Sequence, residues 1–257
     1  MFNFNFRNID FSHKLDYASS PKDEYGKHMH SFMEIIYFVS GDAKYNVEGE
    51  KRKLRQGDCI VIQAGKFHFA EVNRSVLYER YVLKFPENLL PERLKPILLS
   101  RPPFYRLTSE EINVFRSLDN YYTTMTDEDM YVICQAKLWE LLALLDNTRP
   151  SDIKDCDISV VSKITKYIEL HLEDNLSLAK MSQDLSYSES YISNCFKKDM
   201  HIPIMKYIRS KKIIHAHSLI VNGAKPQDVC ERLNFNDYST FYRQYLKVIG
   251  VSPSDDK

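Results

Sequence analysis

Between residues 28 and 85, apolar positions come in short runs cut by turn residues, a rhythm of strands and not of helices. Ile35-Ile36-Tyr37-Phe38-Val39 is one such run, closed by Ser40-Gly41. Lys44-Tyr45-Asn46-Val47 alternates and then turns at Glu48-Gly49-Glu50. Cys59-Ile60-Val61-Ile62 lies between Gly57-Asp58 and Ala64-Gly65, and Tyr78–Phe85 is a further run. Short strands at this spacing predict a sandwich or barrel. Residues 1–25, polar with scattered aromatics, read as an arm before it. Residues 86–103 read as a proline-punctuated connection.

The period then changes. Thr108-Ser109-Glu110-Glu111 offers a helix N-cap with acids in the first turn. Ile112, Phe115, Leu118 and Tyr122 follow on one face. A second helix over about 127–146 carries an apolar stripe of Ile133, Leu138, Leu141, Leu142 and Leu145. A polar stretch around Arg149-Pro150-Ser151 makes a boundary. The expected organisation is a domain over 1–147, a linker at 148–157 and a second domain over 158–257. In that second domain only helices are predicted, over about 158–173, 178–185, 188–199, 203–221, 226–233 and 237–247. Pro203 and Pro226 suit first turns.

Among these helices a single pattern occurs twice. Leu178, Met181 and Leu185 make a short amphipathic helix. Ser186-Tyr187 breaks it and Ser188 caps the next, whose Ile192 and Phe196 face inward. Glu189, Ser190, Ser193, Asn194 and Lys197 are left outside. After Pro226, Val229 and Leu233 form another short helix. Asp237 caps its successor, and Phe241 and Tyr245 stand 49 positions after Ile192 and Phe196. The outer set here is Tyr238, Ser239, Tyr242, Arg243 and Leu246. Two short helices with a tight turn, the second polar outside, is the grammar of a helix-turn-helix. A solvated helical bundle would explain one such motif, but explains a repeat poorly. Arg can fork onto guanine, Asn onto adenine, and Ser or Tyr can reach bases or phosphate.

Charge adds little. The chain has 35 Lys+Arg and 35 Asp+Glu. Residues 158–257 hold 14 basic against 11 acidic side chains, a net of +3, which is the right sign for a nucleic-acid partner but small. Five cysteines without C-x-x-C spacing argue against a disulfide framework or zinc ribbon and for reduced thiols in a cytoplasmic protein. Met1-Phe-Asn-Phe-Asn-Phe is no signal peptide, and Leu138–Leu145, broken by Glu140, is too short to span a bilayer. No nucleophilic triad, phosphate loop or nucleotide-binding glycine motif is evident.

Leu176-Ser-Leu with Leu185-Ser-Tyr-Ser-Glu-Ser-Tyr-Ile-Ser-Asn-Cys-Phe-Lys-Lys resembles the first helix-turn-helix of the AraC/XylS regulators. Asn234-Phe-Asn-Asp-Tyr-Ser-Thr-Phe-Tyr-Arg-Gln-Tyr, then Gly250-Val-Ser-Pro, resembles that family's C-terminal signature. Tyr207-Ile208, Lys212 and Ala216 to Leu219-Ile220 resemble its connecting helix. His201 and Asn234 stand where the family usually has Gly, and the usual closing Tyr-Arg is missing. The resemblance implies two recognition helices in successive major grooves. Ser190, Ser193 and Asn194, flanked by Glu189 and Lys197, would serve one half-site. Tyr238, Ser239, Tyr242 and Arg243 would serve the other, about 10 bp away. It also implies a homodimer through residues 108–146, with RNA polymerase as a further partner of an activator; the alternative for the apolar stripe is that it packs entirely on its own barrel.

Gly26-x-His28-x-His30-x-x-x-Glu34 with Gly41, and Gly57-Asp58 with Gly65 and His68, resemble the two cupin motifs. Gln63 stands where cupins prefer Pro, and Asn73 is one position late. Even-numbered His28, His30 and Glu34 would share one strand face inside a barrel, with His68 on a neighbouring strand. Three imidazoles and a carboxylate could hold a divalent metal. The favoured alternative is a metal-free wall around a small polar effector such as a sugar, and the third is a structural cluster whose members satisfy one another. The fold expected is thus a cupin-like β-barrel with two added helices, followed by an all-α double helix-turn-helix domain. The function expected is a ligand-responsive transcription regulator that binds duplex DNA, with no enzymatic activity, no resident cofactor and no membrane partner. The competing reading is a metal-dependent cupin enzyme with an accessory helical domain, which would have no use for two reading helices.

Overall fold

The computed structural model describes residues 1–17, 28–147 and 159–256. Its first half is two antiparallel sheets. Strands β1 (Phe2–Phe6), β2 (Ile9–Asp16), β3 (Met33–Ser40), β6 (Asp58–Ile62), β8 (Tyr78–Phe85) and β9 (Phe104–Arg106) form a sheet in the order β1-β2-β8-β3-β6-β9. Strands β4 (Ala43–Val47), β5 (Glu50–Lys53) and β7 (His68–Val72) form the other, in the order β5-β4-β7.

The run Ile35–Phe38 reads as continuously apolar because both faces of β3 are covered. Ile36 and Phe38 join Tyr45, Val47, Ile60, Ile62, Tyr78 and Val82 in the core shared by the two sheets. Met33, Ile35 and Tyr37 turn the other way, into a core shared with helices α2 (Ser109–Tyr122) and α3 (Asp127–Asn147). Helix α2 starts on a reciprocal capping box between Thr108 and Glu111. Leu138, Leu141, Leu142 and Leu145 of α3 are each at most 1% exposed and pack against their own sheet. Burying four leucines contributes up to about 6–12 kcal/mol to this domain. The stripe is therefore intramolecular and not a seam between subunits.

Other expectations change as well. Residues 2–16 are not a free arm. Phe2, Phe4 and Phe6 alternate with asparagines in a β1–β2 hairpin, and Phe4, Ile9 and Phe11 are buried. The rest of the expected arm, from residue 18, lies outside the described residues, as does the expected linker at 148–157. The stretch 86–103 contains a 3-10 turn, Glu87–Leu89, and a short helix α1, Lys95–Ser100, whose Pro96 sits in the first turn where no backbone donor is needed. Strand β9 follows it.

The second half is helical: α4 (Val160–Leu170), α5 (Leu178–Leu185), α6 (Glu189–Met200), α7 (Ile204–Val221), α8 (Pro226–Arg232) and α9 (Tyr238–Ile249). These match the predicted helices to within about three residues at each end. There are two separate cores. Val161, Ile164, Met181, Ile192, Phe196 and Tyr207 belong to the first, and Ile213, Ala216, Val229, Leu233, Phe241 and Tyr245 to the second. Helix α7 contributes its first turns to one core and its last turns to the other. Its 18 residues span about 27 Å.

Candidate nucleic-acid interface and effector site

Helices α6 and α9 are built alike. Ser188 Oγ accepts from Tyr191 N at 3.2 Å, and Asp237 Oδ1 accepts from Thr240 N at 2.7 Å, so each helix starts on a side-chain cap. The caps are themselves 49 residues apart. The inward pair is fully buried in both, Ile192 with Phe196 and Phe241 with Tyr245. The turns need left-handed backbone at Ser186 (φ 58°), His201 (φ 59°) and Asn234 (φ 55°). The two positions where glycine would be at ease are thus real αL sites filled by other residues. Asn234 anchors its turn by donating Nδ2 to Glu173 O at 2.6 Å.

Of the predicted reading residues, Glu189, Ser190, Asn194 and Lys197 on α6 are exposed and Ser193 is half-buried. On α9, Ser239, Tyr242 and Arg243 are exposed. Tyr238 is half-buried because its ring lies 5.7 Å from that of Phe241, so it serves the core as well as the surface. The Arg243 guanidinium folds back on its own helix, to Ser239 O at 3.3 Å and Thr240 Oγ1 at 3.4 Å. These contacts are long enough to be exchanged for a stronger partner. Tyr191, 47% exposed on the first turns of α6, was missed by the sequence reasoning. Its position next to Ser190 could have flagged it.

In the barrel the four predicted residues do come together, though not on one strand face. His28 sits in an isolated bridge with His68, each backbone N–H bonding the other's carbonyl at 3.2 and 3.0 Å. The chain then bends at Ser31-Phe32, and β3 begins only at Met33. Ligand atoms of His28, His30, Glu34 and His68 lie within 4.8 Å of one another. His30 Nδ1 contacts Phe32 O and His68 Nδ1 contacts Lys66 O, both at 2.9 Å. A carbonyl only accepts, so both Nδ1 atoms carry hydrogen, and the Nε2 of a neutral ring then presents a lone pair. Those Nε2 atoms stand 3.1 and 3.2 Å from Glu34 Oε2. In the neutral ring His68 Nε2 is buried and makes no hydrogen bond to any described residue.

Burial pushes the His30 ring below its ordinary value. Burial would raise the Glu34 carboxyl, but hydrogen bonds from the His30 and His68 rings, donated when Nε2 carries a proton, hold it well below the carboxylate range. Lone pairs facing an ionised carboxylate call for a proton, a donor hydroxyl or a cation between them. The donor set, with two imidazoles fixed by backbone carbonyls, fits a divalent ion held by His28, His30, His68 and Glu34. A small cavity of about 70 Å³ adjoins the cluster. Arg80, Lys14, Lys84, Tyr45 and Tyr78 line it together with His28 and Glu34. Sequence reasoning missed these five, although the even-numbered positions of Tyr78–Phe85 were readable as an inner face.

The description "AraC-like ligand binding domain" fits residues 14–152, and "Helix-turn-helix domain" fits residues 181–257. The chain is 23% identical over 256 residues to YdiP of Escherichia coli, an uncharacterized HTH-type transcriptional regulator, covering 94% of this chain and 84% of that one. It is 22% identical to the HTH-type transcriptional activator RhaR of E. coli, covering 91% and 87%. The similarity to YkgA of E. coli, named as a regulator of the same type, is 30% over 97 residues and spans 37% of this chain and only 41% of YkgA. Among solved structures, ToxT of Vibrio cholerae with bound unsaturated fatty acid aligns over 99% of this chain and 96% of its own, at 12% identity and a TM-score of 0.41. With the ligand-binding description alone covering more than half of its residues, and the helix-turn-helix description most of the remainder, the chain belongs to the AraC family of transcriptional regulators.

Proposed function

We propose that this protein reads a bipartite DNA site with α6 and α9, in successive major grooves, under the control of a small effector held in the barrel. The observation that carries this reading is the duplicated reading head: same cap position, same buried pair, same exposed polar face, on two cores joined by one helix. Selecting bound duplexes from a random library with the full-length protein tests it. Two enriched blocks with centres about 10 bp apart are expected. Recovery of a single block, or of no preferred sequence, refutes it.

The effector is read as a small polar molecule with hydroxyl donors, a sugar among the candidates, because the His30, His68 and Glu34 atoms that meet are all acceptors when the rings are neutral. His28, His30, Glu34 and His68 form its wall. A divalent ion satisfies the same acceptors and would supply a Lewis-acidic anchor for an effector oxygen. Metal analysis after purification without added metal separates the two occupants. Stoichiometric metal together with turnover of a small molecule would favour the enzyme reading and overturn ours. The regulator is further read as a cytoplasmic homodimer that activates transcription through contact with RNA polymerase. No helix among the described residues is long and apolar enough to cross a membrane. With the leucine stripe buried, dimer contact within residues 108–146 falls to the outward face of α3, where Val132 and Trp139 are 63% and 53% exposed.

A further inference from the structure

The turn between β4 and β5 carries a residue that its local geometry disfavours. Glu48 and Gly49 are its two central residues, both at positive φ, 53° and 87°. Asn-Gly or Gly-Gly adopts such a turn without strain, whereas a glutamate there is costly. Its side chain explains its presence. Glu48 Oε1 accepts from Phe67 N at 2.7 Å and from Lys211 Nζ at 3.0 Å, and Oε2 accepts from the Tyr207 hydroxyl. Tyr207 and Lys211 belong to α7, in the other half of the chain. The Glu48 carbonyl accepts from Thr165 Oγ1 of α4 at 3.2 Å.

Lys211 is 7% exposed, and all three of its hydrogens are spoken for: Glu48, Gly65 O at 2.9 Å and Glu169 Oε1 at 2.7 Å. A buried ammonium so fully engaged fixes geometry more than it adds stability. The backbones leave no slack. A Cβ on Gly49 would stand 2.7 Å from Val161 Cγ1, and one on Gly65 2.9 Å from Ile214 Cγ2. Strand β7 makes a second attachment. His68 points to the effector cluster, while its neighbours Phe67 and Phe69 are buried in the core of the first helix-turn-helix, with Ile192, Phe196 and Tyr207. The second helix-turn-helix core contains no barrel residue among those described.

We propose that the Glu48–Gly49 turn, with Lys211 and Tyr207, is a joint that couples the barrel to the first reading head alone. What happens at His68 then reaches α6 through Phe67 and Phe69, while α9 follows only through α7. The coupling of barrel to DNA stands on the contacts of the joint. Its use by an effector rests on the reading of the His/Glu cluster given above.

Coupling between sites is reciprocal, so DNA must act back on the barrel. The single tryptophan, Trp139, lies on α3 and donates its indole N–H to Leu89 O, so it reports on the barrel half, with the protein held at one concentration to keep any subunit contact through α3 constant. With the full chain and a library-selected duplex at about 100 times its Kd, the midpoint of Trp139 unfolding should rise by several degrees. Glu48→Gln, which touches neither reading helix, should still bind the duplex but lose most of that rise. Tyr207→Phe removes only the hydroxyl and should lose a fraction of it. It is the decisive variant if Glu48→Gln does not fold. A wild-type midpoint unmoved by bound duplex overturns the joint, and so does a full rise in a folded variant. Neither outcome depends on what the barrel binds, so the effector reading fails or survives separately.

Discussion

Replacing Phe241 with alanine should disable one reading head and spare the other. The ring is fully buried, with centroids 5.2 Å from Phe235, 5.7 Å from Tyr238 and 5.6 Å from Tyr245. Deleting a core phenyl costs about 3–5 kcal/mol, and the loss of three aromatic neighbours argues against the lower end of that range. A whole domain holds about 5–15 kcal/mol, so the protein should stay folded. The loss should fall where the core lies, on α8, α9 and the end of α7. About 4 kcal/mol corresponds to nearly three decades in a local opening equilibrium. Amide hydrogen exchange in α8 and α9 should therefore quicken roughly a thousandfold. Exchange in α5 and α6 should hardly change, and protection of a selected DNA site should shrink to one half. Phe196→Ala, which removes a ring 5.1 Å from Tyr207, should do the reverse. Equal acceleration in α5–α6 and α8–α9 of the Phe241 variant would mean one cooperative unit, and the two-headed reading would lose its basis.

Three further expectations follow from individual contacts. Leu141→Glu should unfold the barrel because it buries an unpaired charge in an intramolecular core, whereas Val132→Glu on the outward face of α3 should leave the fold intact and split a homodimer; a folded Val132 variant with an unchanged mass by light scattering moves the interface elsewhere. Burial would raise the Glu169 carboxyl, but Lys211 and Lys66 outweigh it and hold it below the ordinary range, so its stabilising effect is present above the unfolded pKa of about 4.3 and is lost as pH falls through the folded value. The Trp139 unfolding midpoint should drop on that acid limb, and Glu169→Gln should flatten it; a variant with an unaltered limb counts against the assignment. Arg243→Ala should weaken binding to the selected site by about 1–3 kcal/mol and relax preference at one base pair, while equal loss against every single-base variant of the site would make Arg243 a phosphate contact.

The helical half was legible because its signals are local. Caps such as Ser188 and Asp237, prolines such as Pro203 and Pro226, and a 3.6-residue apolar period all act within a few positions. A 49-residue echo of that grammar can be read without knowing where the helices pack. The barrel was legible only in its most apolar strands. Residues 2–16 passed for an arm because Asn-Phe alternation dilutes its apolar residues with polar ones, although it places Phe4 and Phe11 in the core. The stripe on α3 was correctly seen as apolar but was open to two partners. Periodicity tells which face is buried and not against what, and only the sheet packed on Leu138 and Leu141 decides it.

The functional cluster shows the same limit in a different form. Spacing predicted that His28, His30 and Glu34 would meet, and they do, but by a bend at Ser31-Phe32 and not along an extended strand. The bend matters chemically. It brings the Phe32 carbonyl to His30 Nδ1 and so fixes which nitrogen faces Glu34. A straight strand would have supplied the same residues without fixing the tautomer. Glu48 was invisible for a related reason. In sequence it is a turn residue between two strands, and a charge in a turn ordinarily faces water. Its partners, Tyr207 and Lys211, lie 159 and 163 residues away on a helix of another domain. The only local hint was the misfit itself, a glutamate where a two-residue hairpin favours asparagine or glycine. A residue that breaks a local rule without local benefit has its reason elsewhere in the molecule, and here that place is the contact between the barrel and the first reading head.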